Sequence, residues 1–246
     1  MLEAVAEGFA RERQSYYHHV RRANPHRGRA FAMAGQYETV FAATDVIRMF
    51  PTFVWKAELE AEVHKRINKS LIARLDRIRR CGPEPAPGRG WQSDHDLHEW
   101  EEFRELASCV NHAVRRVLDF LKIGAADFKI TGCWANMNLP DAAHGRHGHP
   151  NNFLSGVYYV QTNEGADTIN FHDPRSQTEI IKPPVTALTA ENTDQVVVTV
   201  SNGTMLIFPA WLAHSVDANR SGETRISIGF NIMFSTYAEI TSKPLW

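Results

Sequence analysis

After Gly124 the hydrophobic period of this chain changes, and no other feature constrains its fold as strongly. Before that point apolar residues recur at intervals of three and four. Leu59, Val63, Ile67, Leu71, Ile72, Leu75 and Ile78 predict an amphipathic helix over 56–80. Phe103, Leu106, Val110, Val114, Val117, Leu118 and Leu121 predict a second over 100–121. The first helix is stopped by Cys81-Gly82-Pro83, since proline cannot continue it. Trp91-Gln92-Ser93-Asp94 then reads as an ordered loop, capping the helical layer or forming a lid. Beyond Gly124 the runs are short and strand-like, at 128–136, 153–160, 168–171, 179–182, 195–200, 204–208 and 225–234. Ser201-Asn202-Gly203 predicts a tight turn between two of them, and Pro183-Pro184 ends another. Two helices followed by seven or so short strands suggest a mainly β protein: a helical layer packed on an antiparallel sandwich or jelly roll. Such a core leaves a cavity between its sheets, into which strand ends open. The expected organisation is an extension over 1–44 and one domain over 45–246, with the helical layer at 45–124 and the β core at 125–236.

Composition excludes several classes. With 246 residues and 43 % hydrophobic content, the chain can build one sizeable core and is too polar for a membrane protein. A formal net charge of −1 argues against bulk nucleic-acid binding. Cys81, Cys109 and Cys133 are odd in number and lack metal-type spacing, so a reduced, cytoplasmic chain is expected. The first ten residues, interrupted by Glu3 and Glu7, do not form a signal-peptide core. Arg11, Arg13, Arg21, Arg22, Arg27 and Arg29, with His18, His19 and His26, make the N-terminal extension basic. It reads as a solvated extension or as a docking arm for an acidic partner or peptide.

Chemistry concentrates in the second half. In His147-Gly148-His149-Pro150 the two histidines are separated by one residue, and in an extended segment such residues point to one side. His214 follows the apolar run 204–208 and would close a triad from a neighbouring strand. Three protein ligands on one face, with the opposite positions open, is what a non-haem iron(II) site needs. The more usual second ligand is a carboxylate; here it is His149. Three arrangements follow: His149 as ligand, His149 as an outer group with iron held by two histidines and water, or a carboxylate from Asp173 in Phe171-His172-Asp173-Pro174-Arg175. The first is preferred. A neutral third ligand leaves the site one charge more positive and favours an anionic group there. Arg225 and Ser227 share one face of the last strand, and a guanidinium fork with a hydroxyl suits one carboxylate, as at the far end of a dicarboxylate cosubstrate. Tyr159 and Asn138 are weaker candidates for the same pocket, and Arg175 and Trp211 for the substrate.

These motifs carry a resemblance. Trp134-Ala135-Asn136, the His147–Pro150 segment leading to Leu154-Ser155-Gly156-Val157-Tyr158-Tyr159-Val160, Phe171–Arg175, Phe208-Pro209-Ala210-Trp211-Leu212-Ala213-His214 and Arg225-Ile226-Ser227-Ile228-Gly229-Phe230-Asn231 resemble a family of iron(II)/2-oxoglutarate-dependent oxygenases related to the prolyl hydroxylases. Met49-Phe50-Pro51-Thr52 and Gly90-Trp91-Gln92-Ser93 resemble it too, so the likeness runs from about Asp45 to Phe234. The resemblance implies a double-stranded β-helix core, cupin-like in its jelly roll. It implies iron(II) and 2-oxoglutarate, with oxygen as co-reactant, and does not fix the substrate, which is expected to be a small molecule or a peptide; charge and polarity argue against a nucleic-acid or membrane partner, and a homodimer is open to the chain. The implied reaction is hydroxylation of a C–H bond coupled to decarboxylation of 2-oxoglutarate to succinate. Two rivals stand beside it: a cupin-like three-histidine metalloenzyme that does not use 2-oxoglutarate, and a non-catalytic metal-binding module.

Overall fold

The computed structural model describes residues 45–83, 85–86, 88–124, 127–176 and 180–239. The basic stretch before residue 45 lies outside them. The chain divides into two units, Met1–Phe50 and Pro51–Trp246, and every helix and strand of the described residues belongs to the second.

The elements in chain order are β1 (Trp55–Glu58), α1 (Ala61–Arg80), β2 (Gly90–Gln92), α2 (Arg104–Phe120), β3 (Phe128–Asn138), β4 (His144–His147), β5 (Leu154–Gln161), β6 (Thr168–His172), β7 (Gln195–Thr199), β8 (Thr204–Pro209), β9 (His214–Val216), β10 (Arg225–Phe234) and α3 (Ser235–Ala238). Two short 3-10 turns, Leu97–Glu99 and Glu101–Phe103, lead into α2. The strands form two antiparallel sheets. One has six strands in the order β1-β8-β5-β10-β3-β2, the other four in the order β4-β9-β6-β7.

Period-two alternation sorts the side chains of the larger sheet into two cores. From β10, Ile226, Ile228 and Phe230 face the helices, as do Tyr158 of β5, Met205 and Ile207 of β8 and Met137 of β3. They meet Ile67, Leu71 and Leu75 of α1 and Leu106, Val110, Val114 and Val117 of α2. Tyr159, Leu206 and Phe208 point the other way, toward Ile169 and Phe171 of the smaller sheet. Each fully buried Leu or Phe stabilises the fold by roughly 1.5–3 kcal/mol, so these two stripes hold the layers together. The paired tyrosines show the alternation directly. The Tyr158 hydroxyl donates to Asn68 Oδ1 of α1 at 2.7 Å, and Asn68 Nδ2 donates to the Val160 carbonyl at 2.8 Å. Tyr159 is fully buried on the opposite face.

Several boundaries differ from the sequence reading. The first helix begins at Ala61, because residues 55–58 pair with β8 as β1. Trp91 belongs to a short strand, β2, whose register on β3 matches Trp91 to Met137. Residues 180–182 form no strand, and Ile180 and Ile181 are exposed. The strands β4 and β9 have no apolar run and were not expected.

Candidate active site

The two unexpected strands build the site. β4 pairs with β9 so that His147 lies opposite His214, and a register irregularity between His144 and His147 reshapes the end of β4. His149 follows, tied down by its backbone N–H to the Ala210 carbonyl at 2.8 Å. Gly148 passes between them close to the Ala210 and Trp211 carbonyls; a Cβ there would stand 3.4 Å from the former. The three imidazoles converge: their ring centroids are 4.4 to 5.2 Å apart. One nitrogen from each lies within 4.8 Å of the others, and among the described residues no other group of three or more histidine, cysteine or carboxylate side chains meets that spacing.

The orientation of two rings is fixed by backbone carbonyls. His147 Nδ1 donates to the Gly145 carbonyl at 2.8 Å, and His214 Nδ1 donates to the Leu212 carbonyl at 3.0 Å. A carbonyl only accepts, so each Nδ1 carries the proton and each Nε2 presents a lone pair. His149 Nε2 stands 3.4 Å from His214 Nε2. Three converging imidazoles, those of His147 and His214 anchored through Nδ1, are a donor set suited to a divalent transition metal.

Electrostatics agree. Burial, followed by the neighbouring imidazoles of His214, His147 and His95, pushes His149 down to about 3. Burial also lowers His214 to about 4, against the raising effect of the Leu212 carbonyl. Both rings are therefore neutral at pH 7, the form that ligates metal. The sign for stability follows. Unfolded histidine titrates near 6.5, so between that value and about 4 the unfolded chain holds more protons. The metal-free protein should be insensitive to pH above about 7 and lose stability as pH falls from 6.5 toward 4 and, for His149, on toward 3, on the order of 3 to 5 kcal/mol for each fully shifted ring. Thermal melting across that interval checks this, and His149→Ala should flatten part of the slope. A melting temperature independent of pH there would mean the rings are not buried neutral.

The cluster lines one side of a cavity of about 410 Å³. The opposite wall is the larger sheet, from which Asn136 and Asn138 of β3, Tyr159 of β5, and Arg225, Ser227 and Gly229 of β10 face inward. Arg225 pairs with Asn138 across the β10–β3 ladder, and Ser227 with Asn136 on one side and Tyr159 on the other. The Arg225 guanidinium is buried and lies 5.2 Å from the centre of the Tyr159 ring. Its Nε and the Tyr159 hydroxyl are both buried without a hydrogen-bond partner. No acidic side chain among the described residues forms an ion pair with Arg225. A buried cation with an unused donor is costly unless something fills the place before it. Gly229 leaves room for the Trp134 indole, 2.7 Å from where its Cβ would be, and Trp134 in turn lies between His95 and His149.

Other predicted residues lie apart from the cluster. Asp173 is held by Arg175 through bonds as short as 2.6 Å, which draw its pKa down, and neither residue lines the cavity. Trp211 is 60 % exposed and is also outside the lining. Conversely, His95, His144, Trp134 and Gln92 line the cavity without having been singled out as ligand or cosubstrate candidates. His144 Nε2 bonds Asn138 Oδ1 at 3.0 Å. Its place in a loop-like, Gly-flanked segment carries no periodic signal. His95 is recognisable only through its stacking on Trp134.

Comparison with known proteins agrees with this geometry. Residues 132–231, which include all three histidines and Arg225, match the family described as "Putative 2OG-Fe(II) oxygenase". No curated protein matches the sequence. Among solved structures, a Pseudomonas putida prolyl-4-hydroxylase superposes with a TM-score of 0.52 at 14 % identity, covering 74 % of this chain and 93 % of that one. A prolyl hydroxylase from Trichoplax adhaerens, in complex with a hypoxia inducible factor oxygen degradation domain peptide fragment, gives 0.54 at 12 % identity, covering 77 % and 87 %. HygX from Streptomyces hygroscopicus, with nickel, 2-oxoglutarate and hygromycin B bound, gives 0.52 at 14 % identity, covering 75 % and 84 %. The shared fold is the double-stranded β-helix.

Proposed function

We propose that this chain, whose β core over residues 132–231 is that of a 2OG-Fe(II) oxygenase, hydroxylates a C–H bond of a polar substrate, an amino acid or a peptide side chain. The cofactor of such an enzyme is iron(II) and its cosubstrate 2-oxoglutarate. The observation that carries the reading is the convergence of His147, His149 and His214 across one cavity from the buried Arg225 guanidinium, whose Nε has no hydrogen-bond partner.

In this reading the Nε2 atoms of His147 and His214, with a ring nitrogen of His149, hold the metal. Bound iron(II) with 2-oxoglutarate supplies oxygen activation, coupled to decarboxylation of the cosubstrate to succinate. The protein's part is placement. Arg225 and Ser227 receive the far carboxylate of 2-oxoglutarate, the guanidinium through its fork and the serine through its hydroxyl. Tyr159 and Asn138 offer a hydroxyl and an amide beside them. Ile169, Phe208 and Val216 line the same cavity with apolar surface, and less polar surroundings strengthen each of these polar contacts. Three neutral ligands leave the metal's full charge to be balanced by the cosubstrate, so His149 in place of a carboxylate favours a dianionic partner.

No helix among the described residues is long and apolar enough to cross a membrane. The decisive experiment is anaerobic visible absorbance of metal-free protein on addition of iron(II), then 2-oxoglutarate. A weak charge-transfer band that requires both is expected. Tight iron binding with no band on 2-oxoglutarate would favour a three-histidine metalloenzyme that does not use that cosubstrate, and no iron binding at all would favour a non-catalytic fold.

A further inference from the structure

Beside the cavity runs an open groove of about 460 Å³, which shares Gln92, Asn136 and His144 with it. Its walls come from the terminal strands of the two sheets. Gly88 to Gln92, with β2, form one side, and Asp141, Ala143 and His144, at the start of β4, form the other. Among the described residues no strand pairs with the outer edge of β2.

The register says which backbone groups that edge presents. Gly90 faces Asn138, Trp91 faces Met137 and Gln92 faces Asn136. The next position along, Ser93, gives its N–H to the Ala135 carbonyl at 3.0 Å. In an antiparallel pair bonded and unbonded positions alternate, so Trp91 bonds to β3 while the N–H and C=O of Gly90 and Gln92 point outward. Side chains alternate as well. Trp91 packs against the helical core, whereas Gln92 turns to the cavity and donates to Asn136 Oδ1 at 3.2 Å. Gly90 has no side chain to block the groove; a Cβ there would stand 3.6 Å from the Asn138 amide oxygen. An open edge normally invites unwanted pairing and is covered or blunted. Here it stands at the mouth of the reactive cavity.

We propose that the free edge of β2 is the docking site for an extended polypeptide substrate, which adds as a further strand along the groove and sends one side chain inward past Gln92 and Asn136 to the histidine cluster. This rests on the hydroxylase reading and narrows it, from polar molecules in general to peptides bound through the main chain. Main-chain pairing supplies affinity with little regard to sequence, while the cavity selects the side chain that enters. The outward N–H and C=O groups of Gly90 and Gln92 give the peptide two donors and two acceptors.

The test is backbone amide hydrogen exchange by NMR on full-length protein, with short degenerate peptide pools that each fix one central residue. In the free protein the Gly90 and Gln92 amides should exchange fast and the Trp91 amide slowly. An active pool should protect Gly90 and Gln92, and the same peptides N-methylated at alternate residues should not. Gly90→Pro, which removes an outward donor at a position that gives no N–H to β3, should weaken peptide binding roughly fivefold, the worth of one net hydrogen bond, while Gly90→Ala should keep most of it. Peptide binding that leaves both amides unprotected would overturn the proposal. So would the absence of binding by every pool, or hydroxylation of a free amino acid as readily as of the same residue in a peptide. The exchange result is independent of metal, so failure of the iron–2-oxoglutarate band would be seen separately and would count against the hydroxylase reading alone.

Discussion

His214→Ala is expected to weaken iron(II) binding by more than about a hundredfold and to abolish the 2-oxoglutarate-dependent absorbance band. His214 is the ring most firmly held. It opens β9, sits opposite His147 in the ladder, donates through Nδ1 to the Leu212 carbonyl, and packs edge-on against Phe208 with ring centroids 4.8 Å apart. Its Nε2 therefore has little freedom to lose on binding metal, which is where a preorganised ligand gains affinity. Removing it leaves two imidazoles, one of them on the exposed His147. His149→Ala should behave similarly, and Asp173→Ala should leave the band intact, because that carboxylate is committed to Arg175. Metal titrations of the three variants, each checked for retained folding by circular dichroism, decide the ligand set. Loss of the band in Asp173→Ala together with its survival in His149→Ala would reverse the assignment.

How much of this was legible beforehand depends on what each residue signals. The histidines and Arg225 could be picked out because each sits at the end of an apolar run or one residue from its partner, where a two-residue period gives direction. Alternation sends Tyr158 and Tyr159 to opposite faces on the same ground, with Tyr159 the pocket candidate; what the sequence does not show is the partner that holds Tyr158 on the helical side, Asn68, ninety residues away on α1. The strands β4 and β9 escaped notice because four and three mostly polar residues carry no period, and they form only because each finds a partner. The strand β1 was absorbed into the predicted helix, since Leu59 and Val63 continue the helical spacing backward while the pairing of Trp55 with Ile207 is purely long-range. Ile180 and Ile181 misled in the other direction. They look like strand residues, but among the described residues they pair with no strand and stay exposed.

Arg225→Ala is expected to raise the KM for 2-oxoglutarate by on the order of a hundredfold or more, about 3 kcal/mol, with a much smaller effect on iron(II) affinity. Arg225 is 4 % exposed, has no acidic partner among the described residues and leaves Nε unbonded, so the protein without its cosubstrate bears much of the cost of a buried charge. The Tyr159 ring face 5.2 Å away offsets only part of it, since such a contact contributes about 2 kcal/mol even when desolvated. A carboxylate brought by the cosubstrate would satisfy the fork and cancel the charge at once. Two consequences follow with opposite signs. Arg225→Met, which replaces the charge by an apolar chain of similar length, should leave the metal-free protein as stable as the parent or more so. The same variant should lose the rise in melting temperature that 2-oxoglutarate produces in the parent. Arg225→Lys, which keeps the charge but not the fork, should fall between the two. Thermal melts with and without 2-oxoglutarate, beside steady-state succinate formation, separate these effects. Should Arg225→Met destabilise the metal-free protein and still respond to 2-oxoglutarate, the arginine is a structural element of β10 and the far carboxylate is held elsewhere in the cavity.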